Sequence, residues 1–324
     1  MATARNWRSQ RPLDGPHRVQ LADITPLNQV FSDAFTERYR RDGMVGVRVP
    51  FLNPLIWRYA IEDADGGAML WRDERGEIAA FNIAHVSGTE GWMGPLAARP
   101  ELQGSGVGKD IVRTGADWLV ERGARTIGLE TMPRTLDNIG FYSRLGFSPG
   151  RLTLTLTLEA ASAERSPLLL GALTPTDKAG MLAACGALVS RLLSGYDFSR
   201  EMLLTDELAA GDTLLLRQGD ALVGFALCHT VPLVEGRARE ELRVLKLVLD
   251  DEADGERMAV ALADFARRSG ARRVAFRVQG EYPALFRALV TMGARVRWSD
   301  LRMTMEGYPE HRPGTGVVLS NWEI

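Results

Sequence analysis

Leu96-Ala97-Ala98-Arg99-Pro100-Glu101-Leu102-Gln103-Gly104-Ser105-Gly106-Val107-Gly108-Lys109 is the stretch whose reading decides the fold. An apolar run, Trp92 to Ala98, leads into it. Asp110 to Arg122 follows, with apolar residues at Ile111, Val112, Trp118 and Leu119. A glycine-rich turn therefore joins a strand to a helix N-terminus. Free amide N–H groups and the positive end of the helix dipole converge there, which favours an anion. Gly104, Gly106 and Gly108 let the backbone come close to a ligand, and Lys109 adds a positive charge. A Walker loop needs Ser or Thr after Gly-Lys, whereas Asp110 follows Lys109. A dinucleotide fingerprint needs G-x-G-x-x-G, whereas the spacing here is G-x-G-x-G.

What remains is Gln-x-x-Gly-x-Gly at Gln103, Gly106 and Gly108, with Pro100 upstream. This pattern resembles the pyrophosphate loop of the GNAT acetyltransferase superfamily. Leu129-Glu130-Thr131 and the run Asn138 to Phe147, which contains Tyr142 and Gly146-Phe147, resemble that family's fifth strand, closing helix and Gly-Phe turn.

Composition sets the frame. The chain has 324 residues, 45% hydrophobic and 25% charged, enough for two ordinary domains. A formal net charge of −2 provides no global field for nucleic acid or an anionic membrane. No apolar run approaches the length of a membrane span, and the N-terminus has no apolar signal core. Arg5, Arg8, Arg11 and Arg18 mark a basic leader read as a frayed tail. Cys185 and Cys228 give neither metal spacing nor a disulfide framework, and a reducing cytoplasm is expected.

The order of elements then repeats. Leu173-Thr174-Pro175 echoes Ile24-Thr25-Pro26, and Phe225-x-x-x-His229 echoes Phe81-x-x-x-His85. Gly270-Ala271-Arg272 echoes Gly123-Ala124-Arg125, and Met292-Gly293 echoes Leu145-Gly146. Signals in one order at matched spacing argue for duplication. The expected architecture is α/β: two tandem GNAT-like domains, each a mixed, mostly antiparallel sheet flanked by helices. The expected divisions are a tail at 1–16, an acetyl-CoA-binding domain at 17–160, a linker at 161–166, a degenerate copy at 167–310 and a C-terminal segment at 311–324. His17 to Ala22 is expected as a first strand. Gly316 to Trp322 is strand-like and expected to pair with a closing strand, that of the second half. In the same register, Gln103 to Lys109 lies opposite Asp250 to Glu256, where five carboxylates would repel a pyrophosphate.

The resemblance implies acetyl transfer from acetyl-CoA, as cosubstrate, to an amine in a ternary complex, without a metal. It implies that backbone groups of Gln103, Gly104, Ser105, Gly106, Val107 and Gly108, with Lys109 nearby, hold the diphosphate. It also implies that Leu96, Ala97 and Ala98 pair with the pantetheine arm, Gly94-Pro95 marking where the ladder breaks. Tyr142 is then the acid for the leaving thiolate and Glu130 the base for the amine, with His85 as a rival base. Because His229 repeats His85 in the degenerate half, that residue also fits a role in the fold. Thr135 falls where the family carries an asparagine, and Asn138 lies three residues on. Phe51, Trp57, Tyr59 and Trp92 are candidates for an aromatic acceptor wall or for core. The acceptor is expected to be a small-molecule or peptide amine, and the protein a monomer with pseudo-dimeric halves or a homodimer. A non-catalytic acyl-CoA sensor is the competing reading.

Overall fold

The structure, a computed structural model, describes residues 13–323. The first half runs β1 (Asp14–Arg18), α1 (Ile24–Arg41), α2 (Pro54–Asp63), β2 (Ala68–Arg72), β3 (Ile78–Ser87), β4 (Glu90–Ala98), α3 (Val107–Glu121), β5 (Thr126–Thr131), α4 (Leu136–Ser143) and β6 (Phe147–Glu159). The second half repeats this order as β7 (Leu168–Leu169), α5 (Pro175–Leu192), α6 (Ser199–Glu207), β8 (Gly211–Gln218), β9 (Ala221–His229), β10 (Glu241–Leu249), α7 (Gly255–Arg268), β11 (Arg273–Gln279), α8 (Pro283–Thr291) and β12 (Arg295–Met305). One strand, β13 (Val317–Ser320), has no counterpart. The duplication read from scattered dipeptides thus extends element by element. One helix start in each half is fixed by the same local chemistry, though not at corresponding helices. Asn53 caps α2 by accepting from the Leu55 N–H, and Thr174 caps α5 by accepting from Asp177, each with proline at the first helical position.

Two local expectations shift. The first strand begins at Asp14, and Leu21–Asp23 forms a short 3₁₀ turn instead of extending it. Residues 1–12 of the expected tail lie outside the described residues.

The strands form one 13-stranded sheet in the order β1-β2-β3-β4-β5-β12-β6-β11-β10-β9-β8-β7, with β13 on β10. The centre of this order is the notable part. Strand β12, from the second half, sits between β5 and β6 of the first, and β6 sits between β12 and β11. Each half therefore lends its last strand to the other. Through this exchange each half obtains a second strand beside its own last one.

Two pairs run parallel, and both are short. Glu90–Trp92 pairs with Thr126–Gly128, and Glu241–Arg243 pairs with Arg273–Ala275. Beyond those residues each pair diverges into a wedge. In the second half β13 fills the wedge, antiparallel to β10, with Lys246 opposite Ser320 and Leu249 opposite Val317. The tail strand does belong to the second half, as expected, but its partner is β10 rather than the closing strand Arg295–Met305.

Apolar clusters cover both faces of the sheet in each half. Between them, at the exchanged strands, lie buried charges. Glu130 accepts from Arg302 Nε at 2.8 Å and is ion-paired with Arg277. Glu130 and Arg277 occupy equivalent places on β5 and β11, and the exchange brings them together. Removing one partner of a buried pair costs about 3–5 kcal/mol. Arg302→Met should destabilise the protein by that amount. Because the exchanged strands tie the halves together, denaturant unfolding followed by circular dichroism and by tryptophan fluorescence should show one coincident transition. Two separate transitions would contradict the interlocked sheet.

Candidate active site

The glycine loop caps α3 with bare backbone. Gly106, at φ 102°, is the N-cap of α3 and supplies no side chain to it. Gly104 is also left-handed, at φ 81°. Among the described residues the N–H groups of Gly104, Gly106, Val107 and Gly108 donate to no protein acceptor. Neighbouring groups are spent locally: Lys109 N–H donates to the Gly106 carbonyl, and the Ser105 hydroxyl to the Leu102 carbonyl at 2.5 Å. The Gln103 amide reaches back to the Ala98 carbonyl at 3.4 Å, tying the loop to the end of β4. Lys109 is exposed beside the loop. A helix start with four free N–H groups is a ready anion cradle.

The matching turn of the second half is closed. Aligning α7 with α3 by first residue sets Asp254 where Gly106 stands. Asp251 takes the Ala253 N–H at 2.9 Å, Glu252 takes the Leu285 N–H at 2.8 Å, and Asp250 pairs with Arg191 at 2.6 Å. These carboxylates tie the turn to its neighbours and set negative charge where a diphosphate would have to lie. A Cβ on Gly255 would lie 2.8 Å from Leu285, so α8 also crowds the approach.

Strand β4 supplies the second feature. Asn82 pairs with Leu96 and Ala84 with Met93, so Ile83 alone opposes Gly94-Pro95. This bulge lies just beyond Trp92, where pairing with β5 ends. Leu96, Ala97 and Ala98 keep β3 on one edge, and among the described residues no strand pairs with the other. On the second half, the corresponding edge of β10 carries β13, which Tyr282 locks by donating its hydroxyl to the Val318 carbonyl at 3.2 Å.

The titratable candidates separate by environment. Tyr142, on α4, is 7% exposed and packs against Phe141 and Phe147. Burial pushes its phenol up to about 12, so it stays protonated. No hydrogen bond among the described residues uses its hydroxyl to anchor the helix. Glu130 is different. Burial raises its carboxyl, but the charges of Arg277 and Arg302, with a 2.7 Å bond from Thr153, outweigh that and hold it below the usual range. It is a constrained carboxylate at the junction of the halves.

His85 is buried, with Nδ1 2.7 Å from Asp63 and its ring stacked 4.1 Å from Trp92. His229 is its counterpart, 3.2 Å from Thr205 and edge-on to Tyr59 of α2. Both rings thus serve packing near the junction of the halves. Trp57, Tyr59 and Trp92 are core residues at 0%, 5% and 4% exposure. The aromatic wall does not form from them, and Phe51 is only half-buried in the loop before α2. Asn138 sits 3.5 Å from Thr131, and Thr135 is buried against Asp42 at 2.9 Å.

The sequence reading missed the end of the chain. Trp322 donates its indole N–H to Glu90 at 2.9 Å and lies under the Arg302 guanidinium at 4.1 Å. A Cβ on Gly128 would fall 2.3 Å from the Trp322 ring, and one on Gly94 3.7 Å from its carbonyl. The tail therefore crosses β4 and β5 where they part. Only the strand-like run before it was visible in the sequence.

Residues 28–147 match the family described as Acetyltransferase (GNAT) family. Among solved structures, a proposed acetyltransferase from Pyrococcus horikoshii is similar at 14% identity and TM-score 0.69, the match covering 99% of this chain and 98% of that one. A GCN5-related N-acetyltransferase from Sphaerobacter thermophilus matches at 15% identity and TM-score 0.59, over 93% of this chain and 98% of that one. A tandem GNAT protein from the clavulanic acid biosynthesis pathway matches at 10% identity and TM-score 0.59, over 93% and 99%. No curated protein matches. Residues 28–147 therefore form a domain of the GNAT acetyltransferase family, and the whole chain shares the fold of these tandem structures.

If the bare loop is the anion site, Gly106→Asp should abolish acetyl-CoA binding in a calorimetric titration, by adding a side chain and a charge at the cradle. Asp251→Lys combined with Asp254→Lys should leave the affinity as it was. Binding retained by Gly106→Asp but lost in the second variant would reverse the assignment.

Proposed function

We propose that the first half transfers an acetyl group from acetyl-CoA to a primary amine of a small molecule or peptide, and that the second half binds no cofactor. The carrying observation is the contrast between the wedges: β4 has a free edge beside a glycine-capped helix start, whereas β10 is covered by β13 beside an acidic turn. In this reading the diphosphate accepts from the N–H groups of the Gln103 to Gly108 loop, with Lys109 compensating charge. The pantetheine amides take the free edge of Leu96, Ala97 and Ala98, which brings the thioester toward Gly94. Acetyl-CoA is the one cosubstrate, and no metal takes part in the scheme.

The amine lone pair forms the new C–N bond and the C–S bond breaks. The leaving thiolate takes the Tyr142 proton, the nitrogen gives up one proton to solvent as the amide forms, and the phenolate is reprotonated from solvent. Glu130, clamped by two arginines, is reassigned in this scheme from base to positioning residue: it holds Arg277 and Arg302 beneath the acceptor side. The exchanged strands already give one chain the contents of a dimer, which favours a monomer. No helix among the described residues is long and apolar enough to cross a membrane, and a cytoplasmic location suits the two free, buried cysteines.

Thiol release from acetyl-CoA with a panel of amines separates catalysis from sensing. Tyr142→Phe should lower kcat by about 10²–10⁴-fold while acetyl-CoA binds as before. With the phenol at about 12, the wild-type rate should not fall through loss of this acid up to about pH 10. Titration should saturate at one equivalent of acetyl-CoA per chain. Wild-type turnover in Tyr142→Phe would remove its acid role, and two equivalents of similar affinity would remove the division of labour.

A further inference from the structure

We propose that the C-terminal tail completes the acceptor side of the active site, with Glu323 as the carboxylate that takes up the acceptor ammonium and removes its proton. This rests on acetyl transfer occurring in the first half and names a residue for the step that Glu130 is poorly placed to perform.

The geometry starts at the wedge. Trp322 lies across Gly128 and against Gly94, where the thioester of a cofactor on β4 would end, and its indole is pinned to Glu90. The next residue is thereby held at the mouth of the same wedge. The groups facing Glu323 come from several elements. Arg277 on β11 donates to it at 2.8 Å. Asp300 on β12 and Glu130 on β5 bring carboxylate oxygens within 4.8 Å of its own. Arg243 on β10 and Tyr39 on α1 also feel its charge. Glu323 differs from its neighbours in access. Its side chain is 48% exposed, against 9% for Arg277, 4% for Asp300 and 2% for Glu130. It is the member of the cluster that an incoming molecule can reach.

Arg277 is shared among three carboxylates, and Arg302 serves Glu310 as well as Glu130. Asp300 lies inside the cluster beside Arg277. Its Oδ2 is buried and accepts no well-directed hydrogen bond, the Arg277 nitrogen lying 3.1 Å away. A cluster whose guanidiniums are each shared among several carboxylates, with one exposed oxygen pair, suits an ammonium, which brings three N–H donors and a positive charge. Crowding by protein atoms and the repulsion of Asp300 and Glu130, partly offset by Arg277, push the Glu323 carboxyl up to about 7. A carboxylate in that range can accept a proton from an ammonium that approaches the thioester. The proton balance closes: the first ammonium proton goes to Glu323, the Tyr142 proton goes to the thiolate, the second nitrogen proton leaves to solvent once the C–N bond has formed, and Glu323 and Tyr142 re-equilibrate with solvent after release. The substrate class is a cationic primary amine. The half-exposed Trp298, whose indole N–H donates to Asp300 at 3.1 Å, offers an apolar face for the group that carries it.

The test uses the full chain, acetyl-CoA and a panel of primary amines, read by thiol release, with donor affinity measured separately by calorimetry. Glu323→Gln should keep the acetyl-CoA affinity, lower kcat/KM for the amine by about 10²–10³-fold and abolish the fall in rate below about pH 7. Glu323→Asp should keep that limb with a smaller loss. If Glu323→Gln matches the wild type in kcat/KM and in pH profile while the wild type is active, the inference fails and acetyl transfer in the first half stands. If the wild type binds acetyl-CoA but releases thiol with no amine, the proposed function fails and the inference fails with it.

Discussion

The sheet closes only because each half gives its last strand to the other. A fifth strand left without a partner would expose a row of backbone donors and acceptors. Here β5 is covered by β12 and β11 by β6, so neither edge survives. Everything near the candidate site inherits this arrangement. Arg302 and Asp300 stand beside Glu130 because β12 is β5's neighbour, although 170 or more positions separate them in the sequence from that strand. The second half is therefore needed by the first, whatever its own turn at Asp250 to Glu256 binds. It supplies a strand, two arginines and the tail.

The exchange also decides what the buried charges do. Glu130, Asp300 and Glu323 converge closely enough to suggest a cation site. Arg277 already contacts all three, and Arg302 contacts Glu130. A dication would have to displace or face those guanidiniums, at a large electrostatic cost in a site of low dielectric. Burying so many charges adds little net stability, since desolvation consumes most of the Coulombic gain. What the network provides is register: bonds from Thr153, Arg277 and Arg302 to one carboxylate fix β5, β6, β11 and β12 relative to one another.

Much of this was legible in the sequence, and the limits have a physical pattern. The glycine loop, the helix it opens and the paired hairpins were readable because local chemistry dictates them: glycine where φ is positive, proline and Thr or Asn at helix starts, alternation in strands. The duplication was readable because those local signals recur in order. Strand exchange was not, because β6 and β12 have the same alternating pattern whichever neighbour they take. For the same reason the tail strand was assigned to the correct half but to the wrong partner. Glu130 looked like a free strand-end acid because its arginines come from β11 and β12. Trp57, Tyr59 and Trp92 could be placed in the core or on a wall only once helix α2 and the sheet had been set against each other.

The two wedges are not independent. Strand β13 lies in the second, and the chain continues through the Asn321 N–H, bonded to the Leu245 carbonyl, directly into the first at Trp322. The distance leaves no slack, since one residue separates the end of β13 from the indole that rests on Gly128. A cofactor on β10 would compete with β13 for the same backbone groups and would pull Trp322 and Glu323 from their seats. On the proposed reading, occupation of the second wedge by the protein's own strand is the condition under which the first gains its acceptor side. The acidic turn at Asp250 to Glu256 then has a second consequence besides repelling a diphosphate. By holding the 3₁₀ turn before α7 with Asp251 and the start of α8 with Glu252, it keeps that wedge shaped for a strand.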